Sequence, residues 1–170
     1  NKKATRADNT RCMEIARRNG LKVKALMSLG HAGETEETIA ATKDWLLEVR
    51  PDDFDATVIT TYPGSPYWDA AIPHETLPDV WTFTAPKSGD RLHSMDVDFT
   101  KDVLFYKGLV GEYKSFVFTD HLTADDLVRL RDDLERDVRA KLGIPFNAGA
   151  PGIRFEASMG QTKLPPNNLK

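Results

Sequence analysis

Two short strand-like segments held apart by one helix decide most of what this chain can become. Residues 21–29, LKVKALMSL, place Leu21, Val23, Ala25, Met27 and Leu29 on one side and Lys22, Lys24, Leu26 and Ser28 on the other, the period of two that marks a strand. Residues 54–61, FDATVITT, are rich in β-branched and aromatic residues, which suit a pleated backbone. Between them Ile39, Thr42, Leu46 and Val49 recur at i, i+3, i+7 and i+10, with Trp45 at the border. That is the single apolar face of a helix. Glu34, Glu36 and Glu37 suit its positively polarised start, and Pro51 ends it. Two strands joined through one helix, with about 20 residues between them, are expected to run parallel, with a right-handed crossover. Two parallel strands do not form a buried sheet by themselves. The chain also opens at Asn1, with helix-like sequence within five residues. Both features lead us to expect a piece of a longer architecture.

The flanking sequence is helical before this unit and irregular after it. Thr5 and Asp8 form a capping box for a first helix. Cys12, Ile15 and Ala16 are expected on its buried side, with Cys12 a small packed hydrophobe. Asn19-Gly20 stops that helix. Lys22 and Lys24 read as solvated strand-end charges. Residues 67–122 contain no long amphipathic helix. Short strands are expected at 81–84, 92–99 and 113–119, with a turn at Pro86–Asp90. Thr123 and Asp126 form another capping box. It opens a long helix, about 124–142, with Leu127, Leu130, Leu134 and Val138 on one face. Asp125–Arg129, Asp132–Arg136, Glu135–Arg139 and Asp137–Lys141 are spaced as surface i,i+4 pairs. The last 25 residues read as an irregular tail. The division expected is therefore 1–70 and 71–170.

Composition removes several classes. With 23 Lys+Arg against 26 Asp+Glu the net charge is −3, which is unsuited to general nucleic-acid binding. No apolar run approaches the length of a membrane span. The single cysteine excludes an internal disulfide framework and a cysteine-only metal site within this chain. It fits a cytoplasmic protein.

The strand ends are the candidate site, because ligands of parallel α/β folds bind beyond the carboxyl ends of the strands. Gly30-His31-Ala32-Gly33-Glu34 follows the first strand and Tyr62-Pro63-Gly64-Ser65 the second. Glycine admits a ligand close to the backbone, although both strings also read as plain tight turns. Neither is a phosphate loop, and Glu34, Glu36 and Glu37 would repel phosphate. His31 has the chemistry of a ligand or general acid, or of an ordinary turn residue. Glu34 is a candidate for a ligand amine or a helix-dipole partner. His74, His93 and His121 show no metal-ligand spacing. Asp96 and Asp98 share a face as paired carboxylates or as solvated residues. The strings at 106–108 and 158–161 suggest no mechanism.

The strings at 20–24, 30–38 and 60–67 together resemble the last third of a radical SAM barrel, closest to members with an amino-terminal cobalamin-binding domain. In that family a glycine-proline-glycine-glutamate-threonine loop follows the fifth strand. A tyrosine-proline-glycine-threonine/serine-proline loop follows the sixth. Here the two occur in that order, about 30 residues apart. His31-Ala32 departs from the usual aliphatic-proline pair, and the three-cysteine cluster motif is absent. The resemblance covers roughly residues 1–70.

It implies an α/β fold: the carboxyl-terminal part of a partial TIM-like (β/α)6 barrel followed by an α+β extension that covers the barrel or shapes the substrate pocket. It implies S-adenosylmethionine at the carboxyl end of the barrel, held near Gly30, His31, Gly33 and Glu34 and near Tyr62, Pro63 and Gly64. A four-iron four-sulfur cluster, its ligands outside this chain, would cleave S-adenosylmethionine to methionine and a 5′-deoxyadenosyl radical, or act alongside cobalamin in methyl transfer. A small-molecule substrate and an electron donor such as a flavodoxin or ferredoxin are implied as partners. The piece alone is expected to be inactive. A freestanding α+β interaction module, docking a partner through its charged helix, is the alternative.

Overall fold

The computed structural model describes residues 3–98, 101 and 113–145. Helix α1 (Arg6–Arg18) leads into β1 (Lys24–Leu29), α2 (Glu36–Val49) and β2 (Asp53–Val58). The two strands pair in parallel, from Lys24↔Asp53 to Leu29↔Val58. A short α3 (Pro66–Asp69) precedes β3 (Ile72–Pro73), β4 (Val80–Thr84), β5 (Arg91–Met95) and β6 (Val117–Thr119). These last four strands form an antiparallel sheet in chain order. Helix α4 (Ala124–Leu142) closes the described chain. The architecture is mixed α/β, and no helix among the described residues is long and apolar enough to cross a membrane.

Local signals set most of these boundaries. Thr5 with Asp8 and Thr123 with Asp126 form the expected reciprocal caps of α1 and α4. Gly143, at φ 68°, ends α4. Each central strand is shorter than its sequence pattern, β1 at its start and β2 at its end. Strand β1 begins at Lys24, and β2 runs Asp53–Val58. Strand β6 is only three residues long. Just before it, the Ser115 hydroxyl donates to the carbonyl of Val117 and accepts from its amide, a local turn that competes with extended pairing.

Alternation along the strands separates two faces. Ala25, Leu29, Phe54, Ala56 and Val58 are buried against the helices. Lys24, Leu26 and Ser28 are exposed on the opposite face. There Lys24 Nζ bridges Asp53 (3.1 Å) and Asp55 (2.8 Å), so it is a cross-strand clamp rather than a solvated strand end. Helix α1 turns Met13 inward and leaves Ile15 and Cys12 exposed, which corrects the expected buried side. Its inner contacts are polar. Trp45 Nε1 donates to Thr10 Oγ1 (2.9 Å), and Arg17 donates to the carbonyl of Val49 (2.6 Å), capping α2.

The outer edge of β2 is sealed by side chains. In a strand, alternate residues direct their amide and carbonyl to opposite edges, and Phe54, Ala56 and Val58 face away from β1. Arg139 Nη2 donates to the Phe54 carbonyl (2.5 Å). The Ala56 amide donates to Glu135 Oε1 (2.7 Å), and Arg131 Nε donates to the Ala56 carbonyl (2.8 Å). The Tyr113 hydroxyl accepts from the Val58 amide (3.0 Å) and donates to its carbonyl (3.1 Å). Burial pushes that phenol up to about 12. The Arg131 guanidinium lies over the Tyr113 ring and that of Arg139 over the Phe54 ring, each 4.7 Å from the centroid. No described strand pairs with the other edge of β1.

These contacts revise the expected surface pairs of α4. Only Glu135–Arg139 forms as spaced (2.6 Å), and it lies inside, with Glu135 2% exposed. Arg129 meets Asp126 and Glu36, Arg136 meets Asp133, and Asp137 meets Lys43 of α2. One apolar core runs from Met13 through Phe54 to Leu127, Leu134 and Val138, so the segments before and after residue 70 share it. The strings at 106–108 and 158–161 and the tail from residue 146 lie outside the described residues.

Arg139→Met keeps bulk but leaves the buried Glu135 carboxylate without its cation. The expected loss is about 3–5 kcal/mol in urea unfolding. The exposed Arg136→Met should change stability by less than about 0.5 kcal/mol. Equal effects would deny the edge seal any special weight.

Candidate functional site

The two strand-end loops lie side by side because their strands pair in parallel and end together. The ladder extends one step past the strands, with the Ile59 amide donating to the Leu29 carbonyl (2.9 Å). In the first loop Gly30 adopts φ +84°. A Cβ there would lie 3.1 Å from Val58 Cγ1 and 3.3 Å from both Leu127 Cδ1 and Val117 Cγ2. Gly33, at φ +81°, abuts Asp90, whose Oδ2 would be 2.7 Å from a Cβ. The space beside both glycines is filled by this chain's own atoms. Glu34 is committed as well. Its Oε2 accepts from the Gly30 amide (2.9 Å) and its Oε1 from the Thr38 hydroxyl (2.6 Å). Thr119 Oγ1 donates to the Glu34 carbonyl (3.0 Å), which ties β6 to the loop.

The second loop is built differently. Pro63 followed by Gly64 at φ +81°, with the Ser65 amide donating to the Tyr62 carbonyl (3.0 Å), has the pattern a type II turn needs. Nothing lies within 4 Å of a Cβ on Gly64, and Tyr62 is exposed. Ser65 then caps α3, accepting from the Trp68 amide.

His31 joins the loops. Its Nε2 lies 2.8 Å from Ser28 Oγ on the open face of β1, and its Nδ1 lies 3.1 Å from the Tyr67 hydroxyl. The Tyr67 ring stands edge-on to Phe83, centroids 4.8 Å apart. Burial pulls the His31 imidazole below its ordinary value, and the Glu34 carboxylate partly opposes this. Of the candidate residues, Gly30, Gly33 and Glu34 are thus engaged in the first loop's own packing, His31 is held between Ser28 and Tyr67, and Tyr62, Pro63 and Gly64 are exposed.

Ser28 and Tyr67 were not legible as site residues. The period-two pattern does put Ser28 on the polar side of β1, one turn of chain from His31. Tyr67 carries no comparable signal, since α3 brings it to the first loop. A second cluster also escapes the linear reading. Buried His93 sits between Thr82 (Nδ1 to Oγ1, 3.0 Å) and Asp120 (Nε2 to Oδ1, 3.0 Å), stacked on Phe118 and 5.1 Å from the His74 ring. Arg91 holds the Asp120 carboxyl below the usual carboxylate range, with burial acting against it. Both His93 nitrogens are occupied within the sheet, so this cluster cross-links β4, β5 and β6.

Among the described residues no group of three or more His, Cys, Asp or Glu side chains is placed to hold a metal ion. A groove of about 540 Å³ between α2 and α4, floored by Ile39, Ala40, Leu130 and Leu134, contains no strand-end residue. No known family model matches the chain, and comparison with curated proteins finds no similar sequence.

Two predictions test this geometry. Gly30→Ala should cost about 1–3 kcal/mol through overpacking added to backbone strain. Gly64→Ala should cost only the strain, about 1 kcal/mol; unfolding midpoints compare the two. For His31 the folded value lies below the unfolded 6.5. The unfolded chain therefore binds the proton first, and stability falls as the pH drops through 6.5 toward the folded value. His31→Gln should flatten that part of the pH–stability curve. An unchanged slope would assign the dependence to other groups.

Proposed function

We propose that this chain is the carboxyl-terminal part of a radical SAM enzyme of the cobalamin-linked type. In this reading β1 and β2 are the last two strands of its partial TIM-like barrel. The observation that carries the reading is the pairing of the two motif loops. Their strands are parallel and in register, and the loops meet through His31 and Tyr67. The sealed outer edge of β2 supports a terminal strand, and the exposed face bearing Leu26 and Ser28 would line the lumen.

The described residues fit the two groups unequally. They offer no ligand set for an iron–sulfur cluster, and Cys12 is exposed on α1. The second loop does fit an adenosyl group. Tyr62 and Pro63 present exposed, flat apolar surface, and Gly64 leaves open space beside the backbone. Neutral adenine needs such surface and backbone hydrogen bonds rather than charge. When bound, S-adenosylmethionine supplies the radical or methyl equivalent for the chemistry. This chain's own residues would bind, orient and shield it from water. Helix α4 and the antiparallel sheet would brace the first loop from behind.

The interaction-module reading has less support, because Arg131, Glu135 and Arg139 of the charged helix are turned onto β2 rather than offered to a partner.

The test uses the full-length gene product, purified without oxygen and reduced with dithionite. Formation of 5′-deoxyadenosine from S-adenosylmethionine is expected. Gly64→Val should weaken S-adenosylmethionine binding about tenfold, equivalent to about 1.4 kcal/mol. A protein that neither binds S-adenosylmethionine nor forms 5′-deoxyadenosine refutes the reading.

A further inference from the structure

A hydroxyl, an imidazole and a phenol line up at the end of β1, and the proposed function uses none of their acid–base chemistry. Ser28 Oγ, His31 Nε2, His31 Nδ1 and the Tyr67 hydroxyl form a continuous chain with steps of 2.8 and 3.1 Å across the two contacts. Ser28 is exposed, whereas His31 and Tyr67 are partly buried, so the hydroxyl is the reachable end. A hydroxyl nucleophile needs a base within hydrogen-bond reach and a third group that orients the base, and these three side chains meet both conditions. A brace between the loops would need only the His31–Tyr67 contact. Ser28 adds nothing to it, because its strand is already fixed by pairing with β2.

We propose that Ser28 is a nucleophilic hydroxyl activated by His31 and positioned by Tyr67, and that it takes an acyl group from a small activated ester. Nδ1–H of the imidazole donates to the Tyr67 oxygen, leaving the Nε2 lone pair for the Ser28 proton. The serine Oγ bonds to the acyl carbon and the ester C–O bond breaks. The proton held on Nε2 passes to the departing oxygen, giving acyl-Ser28 and a free alcohol. Water, deprotonated by the same imidazole, then cleaves the acyl-serine ester and restores the hydroxyl. Burial favours the neutral base, and the negative charge of Glu34 favours the imidazolium as it forms. The site is independent of the adenosyl-binding reading, since the probe below requires neither S-adenosylmethionine nor a cluster.

The probe is p-nitrophenyl acetate, applied to the 170-residue chain near neutral pH, with adducts located by peptide mass mapping. One acetyl group on the peptide bearing Ser28 is expected, faster than on Ser65 or Ser88. His31→Gln should slow Ser28 acetylation by about 100-fold or more, Tyr67→Phe should slow it less, and Ser28→Ala should abolish it. Near-ultraviolet circular dichroism checks that each variant retains native packing; where His31→Gln does not, Tyr67→Phe decides. Acetylation of Ser28 no faster than of Ser65 and Ser88, or a rate unchanged in the folded His31 or Tyr67 variant, overturns the proposal.

Discussion

The carboxylate of Glu135, 2% exposed, accepts the amide of Ala56 while Arg139 binds both that carboxylate and the carbonyl of Phe54. This arrangement lets a two-stranded parallel sheet exist with one edge inside the protein. Backbone groups buried without partners are costly, and a parallel sheet is ordinarily covered on both faces and paired along its strands. Here a helix supplies what a third strand would. The ion pair is buried, so its Coulombic gain is largely offset by desolvation. Its weight lies in what it forbids: α4 cannot slide along β2 without leaving a charge and several peptide groups unpartnered.

The seal also sets the position of the first loop. With α4 fixed on β2, Leu127 and Val117 come against Gly30, and Thr119 reaches the carbonyl of Glu34. The second loop is shaped by its own Pro63-Gly64 turn. The first loop's glycines are thus crowded, whereas open space lies beside Gly64. His31 links them by a contact that needs neither glycine.

The elements most legible from sequence were those specified locally. The capping boxes at Thr5–Asp8 and Thr123–Asp126 depend on four consecutive residues. The apolar period of α2 depends on one helix, and its buried Ile39, Leu46 and Val49 follow directly. What escaped depended on the partner. Acidic and basic residues four apart on α4 have the same spacing whether they face water or a strand edge, so the inward role of Glu135 and Arg139 left no local trace. The inner side of α1 is chosen by Trp45 and the end of α2, so Met13 rather than Cys12 is buried. Of the site, Gly30, His31, Glu34 and the Tyr62–Gly64 turn were visible as strand-end strings. Ser28 and Tyr67 join His31 only through strand alternation and the placement of α3. His74 and His93, 19 positions apart by number, meet through hairpin register.

A sheet closed on one side and unpaired by any described strand on the other has a direction. Exposed strand edges recruit further strands, productively or as aggregates. The side chains on β2 remove that possibility along one border. Assembly, whether with more of its own polypeptide or with another molecule, can extend this sheet only from β1. The same polarity would decide which border a misfolded copy could seed.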